Sequence, residues 1–193
     1  RNAIIDCAGG KPVFSFEELD DLTRRYMLEE FDTEQAARPY RSRLLSSPGL
    51  AAFAQLMRAA VESGDEGTLY RSLAQPTYWV ASTTYVRAGM PHQRRVNPDS
   101  SARSLADTEF NTWYVRGFAR RLLSEGVQYC EIYRAAIAWE PRSECLAHEG
   151  QVVPVRQVYD GHRVKYWPEP GNQEAFSIPF GPNCHHSIGR VKS

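Results

Sequence analysis

Five residues at two places in the chain have the types and spacing that could hold a metal ion. Cys145 and His148 form a Cys-x-x-His pair, and Cys184 is followed directly by His185 and His186. Thiolate and imidazole are the usual protein donors to zinc, and a two-residue gap lets both members of the first pair reach one ion. The second group lacks that gap, and adjacent side chains seldom converge on one centre. The competing reading is ordinary turn and tail residues. It prevails here, so the sequence alone calls for no metal and no cofactor.

A second constellation surrounds His162, which follows Asp160-Gly161 and neighbours Tyr159 and Arg163. A metal-independent nuclease could use such a histidine for proton transfer and the arginine for phosphate charge. Residues at a hairpin tip are usually solvated, however, and no second general acid is placed beside His162. A weaker set, Tyr70-Arg71, Ser82-Thr83-Thr84 and Glu131, has the residue types of ADP-ribosyl transfer. Arg71 lies too close in sequence to Ser82 for the strand, helix and strand that chemistry requires. Gly9-Gly10-Lys11 lacks the preceding glycine and following hydroxyl of a phosphate loop. Nucleophile elbows and metalloprotease helices are missing from the sequence. A structural or assembly role is therefore favoured over an enzyme.

Charge points the same way. Basic and acidic residues balance at 23 each, so no global polycation drives nucleic-acid binding. Only Lys11, Lys165 and Lys192 are lysines; the remaining positive charge is arginine, suited to planar, multidentate contacts. A local basic surface gathers Arg87, Arg94, Arg95 and Arg103, with Arg116, Arg120 and Arg121 near in sequence and Trp79, Tyr85, Trp113 and Tyr114 interleaved. Neutrality overall favours protein partners over nucleic acid. The candidate interface residues are Arg87, Arg94, Arg95, Arg103, Arg116, Arg120, Arg156 and Arg163.

These groups must be positioned by an α+β domain of N-terminal helices, one long central amphipathic helix and a C-terminal antiparallel β hairpin or sheet. Ser15 and Glu18 form a capping box that starts a first helix running to about residue 31, with Phe14 stapled onto Leu19. A second helix starts at Ser47-Pro48 and stops at Gly64; a short third spans about Leu69 to Leu73. Residues 1–75 are thus mainly helical. Thr77–Arg87 alternates as a strand or extended arm, and Ala88–Arg103 reads as a basic loop, making 76–103 an arm and loop. From Ser104, the residues Phe110, Trp113, Tyr114, Phe118 and Leu122 recur at helical spacing and form an aromatic stripe. Val127–Tyr133 alternates as a strand. Asp160-Gly161 between PVRQVY and HRVKYW predicts a two-residue hairpin, and Phe176–Phe180 a last extended piece. Helix plus β structure fills 104–193, and the whole is one domain.

The run from Thr108 to Gly117, TEFNTWYVRG, with Glu131-Ile-Tyr-Arg134 and Pro179-Phe-Gly-Pro-Asn183, resembles a pattern of poorly characterised tailed-phage virion proteins of connector type. The resemblance covers the second half of the chain. It implies a head–tail connector or neck component that forms a homo-oligomeric ring. Its partners would be further copies of the chain and portal or tail components, with contact with packaged DNA left open and no membrane.

A hydrophobic fraction of 42% is ample for a packed core. Cys7, Cys130, Cys145 and Cys184 are scattered and no signal peptide is read before them, so a reducing compartment is expected. No apolar run is long enough to cross a bilayer. The expectation is a soluble protein of the virion or the host cytoplasm.

Overall fold

The computed structural model describes residues 14–37, 39–136, 143–164 and 176–192. Gly9-Gly10-Lys11, Cys7, and the expected strand residues Lys165 to Trp167 lie outside them. Three helices come first: α1 (Asp21–Ala37), α2 (Ser47–Ser63) and α3 (Glu66–Leu73). A 3₁₀ turn at Pro76–Tyr78 leads into β1 (Ser82–Arg87) and β2 (Met90–Arg95). Then come α4 (Pro98–Ser124), β3 (Tyr129–Arg134), α5 (Ser143–Leu146), β4 (Val152–Pro154), α6 (Val155–Asp160) and β5 (His186–Arg190). The α+β class and the long central helix are as expected.

Helix α4 organises the rest. Its 27 residues make a rod of about 40 Å. Asn97 caps it by accepting from the Ser100 N–H at 3.2 Å, and Pro98 fills the first position, where no N–H is needed. Helices α1, α3 and α6 and strand β5 all pack against it. Phe110, Trp113, Tyr114, Phe118 and Leu122 are buried, so the stripe is core. Gly117 marks the α1–α4 crossing: a Cβ there would stand 2.6 Å from the Met27 backbone nitrogen. The aromatics anchor one apolar cluster running from Met27 to Ile188.

Two antiparallel sheets complete the fold. In one, β3 is central between β4 and β5, with Cys130 opposite both Val153 and Arg190. Cys130 and Ile132 are buried, following the period-two alternation of a half-covered sheet. The other is the hairpin β1–β2, with Tyr85 opposite His92 and Arg87 opposite Met90. Its two-residue turn is Ala88-Gly89, with φ of 50° and 78°. Both are left-handed, as a type I′ turn requires.

Several boundaries and one motif differ from expectation. Residues 15–18 do not open a helix; α1 starts six residues after Ser15, where the Asp20 carboxylate accepts from the Thr23 N–H at 3.0 Å. Phe16 instead lies across Phe110 and Tyr114, with ring centroids 5.5 and 4.5 Å away. The basic loop 88–103 is strand β2 and the first turns of α4. Asp160-Gly161 is no hairpin turn. Val155–Asp160 is helical, and the Gly161 N–H caps it by reaching back to Gln157 O. Gly161 has an ordinary φ of −76°. Its lack of a side chain is needed because a Cβ would lie 1.9 Å from Phe176 O. The last strand is β5, beyond Phe176–Phe180.

Glu66 is an acid in the core, 3% exposed at the start of α3. Burial pushes its carboxyl up, and the Phe14 N–H, 3.1 Å away, only partly offsets this. A carboxyl raised on folding weakens the fold as pH climbs through the ordinary carboxylate range. Glu66→Gln keeps the acceptor and removes the charge. It is expected to be more stable than the parent at pH 7, with the gain vanishing in acid, read by urea unfolding at both pH values.

Candidate functional site

Three groups of residues stand out, and α4 separates or braces each. The first is the hairpin. Every residue of β2 and all but Thr83 of β1 are exposed. Val86 is 71% exposed and Met90 64%, near its tip. Opposite residues share a face, so Arg94, Tyr85, His92, Arg87 and Met90 line one side. Tyr85 and His92 stack at 5.5 Å. At its base Arg94 enters a cleft of about 500 Å³ with Tyr40, Trp79, Ser101, Thr108 and Asn183. No acidic residue occurs between Thr77 and Val96.

The second group is centred on His162 and Arg163, in the turn after α6. Arg163 donates to both Glu109 oxygens, at 3.1 and 2.8 Å, and through Nε to Glu34 at 2.7 Å. His162 Nε2 lies 2.9 Å from the same Glu34 oxygen, and its ring sits 5.0 Å from Trp113. Burial pushes the Glu34 carboxyl up, but hydrogen bonds from His162 and Arg163 outweigh it and hold the carboxyl down at about 2. This network ties α1, α4 and the α6 turn together. The arginine meant for phosphate is already forked onto a carboxylate, and the histidine is half-buried rather than at a hairpin tip.

The third group is Cys145, Cys184 and His186. All three are buried, and their donor atoms lie within 4.8 Å of one another. Cys184 Sγ stands 3.7 Å from His186 Nδ1. Burial pushes the Cys184 thiol up to about 11, against the pull of the His186 and Phe180 backbone. Burial likewise lowers His186, whose Nε2 faces Glu149 at 3.4 Å. Of the five residues singled out by spacing, two fall elsewhere. His148 stacks on Phe180 at 4.6 Å, and the His185 ring meets Phe14 edge-on at 5.5 Å.

Comparison with protein-family models, curated proteins and solved structures finds no match.

The candidate interface arginines divide into two sets. Arg87, Arg94 and Arg95 project from the hairpin, and Arg156 is exposed on α6 within 3.9 Å of Asp160. Arg103 lies over the Tyr70 ring and 3.5 Å from Asp107. Arg116 and Arg120 both bind Glu30, at 2.7 and 3.1 Å, and Arg120 also binds Glu29. Arg121 binds Asp20 and Glu125. The cationic flank of α4 is thus covered by α1 rather than offered to a partner. Tyr70-Arg71, Ser82–Thr84 and Glu131 sit on α3, β1 and β3, three elements that share no sheet.

Glu34, Glu109 and Glu149 carry no signal in the sequence, because each meets its partner through tertiary packing. Tyr85 was legible on the expected arm, but Met90 and His92 only as part of a loop; the left-handed turn at Ala88-Gly89 brings His92 opposite Tyr85. No helix among the described residues is long and apolar enough to cross a membrane.

Proposed function

We propose that the chain is a structural assembly protein that forms a homo-oligomer, a head–tail connector or neck component of the kind the tailed-phage resemblance implies. The hairpin is the arm by which one subunit holds the next. The observation that carries this reading is that, among the described residues, β1 and β2 pair only with each other and are exposed over nearly their whole length. An isolated two-stranded hairpin is at best marginal in water, so an arm of this kind gains its order by docking. Among the described residues no strand lies beside either outer edge, so a neighbour's strand can add there.

Charge supplies the complementarity. With 23 basic and 23 acidic residues in the chain, the three hairpin arginines and no acid leave the remainder with an acidic excess of three. A basic arm and an acidic body suit a head-to-tail contact, which closes into a ring when the rotation allows. Portal or tail proteins are the further partners. The nuclease alternative through His162 draws no support from a histidine and arginine held by Glu34 and Glu109.

Tyr85→Ser, Val86→Ser and Met90→Ser together test the arm. Light scattering is expected to show the oligomer reduced to a monomer that keeps its helical circular dichroism, because all three side chains are exposed. An oligomer of unaltered mass would sink the reading.

A further inference from the structure

The hairpin account leaves the Cys145, Cys184 and His186 cluster unexplained. Three metal-binding donors are buried together there, drawn from elements separated by up to 41 residues. Two ligands of a tetrahedral zinc, one sulfur and one nitrogen at about 2.3 and 2.0 Å from the ion, stand about 3.5 Å apart. The 3.7 Å between Cys184 Sγ and His186 Nδ1 is close to that separation.

The surroundings hold the donors in a ligating posture. His186 turns Nδ1 toward the sulfur and Nε2 toward Glu149, the carboxylate–histidine arrangement that orients a metal-bound imidazole. Glu149 is itself gripped by Arg134, at 3.0 Å from Nε and 2.5 Å from the terminal nitrogen. The His186 backbone is pinned twice: its strand pairs with Arg134, and its carbonyl accepts from Asn111 Nδ2 at 2.7 Å. Cys184 is set by a tight turn, its N–H on Gly181 O at 3.0 Å, with Asn183 in the left-handed region at φ 60°. Cys145 lies one residue before the end of the short α5, and its carbonyl receives the His148 N–H at 3.2 Å.

We propose that Cys145 Sγ, Cys184 Sγ and His186 Nδ1 bind one thiophilic divalent cation, zinc by ligand chemistry. Two thiolates neutralise a divalent ion, so the bound centre carries no net charge into the core. The ion clips the α5 segment to the start of β5 and so closes the sheet side of the fold around α4. Among the described residues no fourth side chain joins the set. Water or another donor completes the tetrahedron.

The test uses the full chain under reducing conditions. Elemental analysis and native mass spectrometry are expected to give one zinc per chain. Chelation followed by cobalt addition should produce the thiolate-to-cobalt charge-transfer band and the intense visible bands of a tetrahedral site. Cys145→Ser and Cys184→Ser are each expected to weaken cobalt uptake at least 100-fold, and Cys130→Ala to leave it intact. Should the serine variants fail to fold, the parent chain still decides. A folded parent that takes up neither zinc nor cobalt overturns the proposal, as does uptake that survives in either folded serine variant.

Discussion

Trp113→Ala is expected to destabilise the protein by about 3–5 kcal/mol, the range for emptying a fully buried aromatic site. A typical domain has about 5–15 kcal/mol in total, so the variant sits near the edge of folding. Trp113 is 1% exposed at the middle of α4. Its ring meets Phe31 edge-on at 5.1 Å and His162 at 5.0 Å, so it joins α1 to the α6 turn across the central helix. Among the described residues its indole N–H has no hydrogen-bond partner. Phenylalanine at this site therefore forfeits no polar contact and should lose much less than alanine. Guanidinium unfolding of the two variants checks both the size and the order. A loss under 1 kcal/mol for alanine would mean that α1 and α6 are not anchored through this residue.

Arg163→Ala is expected to destabilise by a similar amount, about 3–5 kcal/mol, because it strands buried carboxylates rather than emptying a cavity. The Glu109 side chain is 3% exposed and that of Glu34 14%. Without the guanidinium, Glu109 loses both fork hydrogen bonds. Arg163→Met combined with Glu109→Gln removes charge from both sides and should recover much of the loss. The same network sets an acid limit. The folded Glu34 carboxyl titrates at about 2 against an ordinary 4.5, so its contribution is fully present above pH 4.5 and lost as pH falls toward 2. Wild-type stability should drop across that window and Glu34→Gln should drop less. Equal pH dependence of the two chains would contradict the network. These residues also separate the functional readings: a nuclease would lose activity in Arg163→Lys, whereas a structural clamp predicts only partial destabilisation.

How far the sequence revealed this molecule depended on how local each signal was. Helix α2 was legible almost to the residue, because Ser47-Pro48 and Gly64 sit at its two ends and the cap on Ser46 is local. The buried face of α4 was legible because Phe110, Trp113, Tyr114, Phe118 and Leu122 repeat at helical period. The start of α4 was not, since Pro98-Asp99-Ser100-Ser101 is polar and reads as loop until Asn97 is seen to cap it. The two hairpin errors mirror each other. Asp160-Gly161 has the preferred turn residues but ends a helix, its glycine required by the Phe176 backbone. Ala88-Gly89 lacks the preferred asparagine or aspartate and still adopts the left-handed turn.

The metal-type cluster was half legible. Cys145 and Cys184 stand out by type, but extended backbone sends His185 to Phe14 and His186 to the sulfur, a choice no spacing rule makes. Glu149 meets Arg134 only because the chain comes back beside β3 on its way into β4, with the Gly150 N–H on Ile132 O. The arginines show the same limit. Their number suggested an interface, yet Arg116, Arg120 and Arg163 meet acids from α1 or α4 and leave the hairpin as the principal free basic surface.

Native mass spectrometry of the purified chain, at low and moderate salt, tests the assembly account most directly. The account predicts a closed homo-oligomer of defined copy number that weakens as salt screens the arginine arm. A strict monomer at both salt concentrations and at high protein concentration would contradict it.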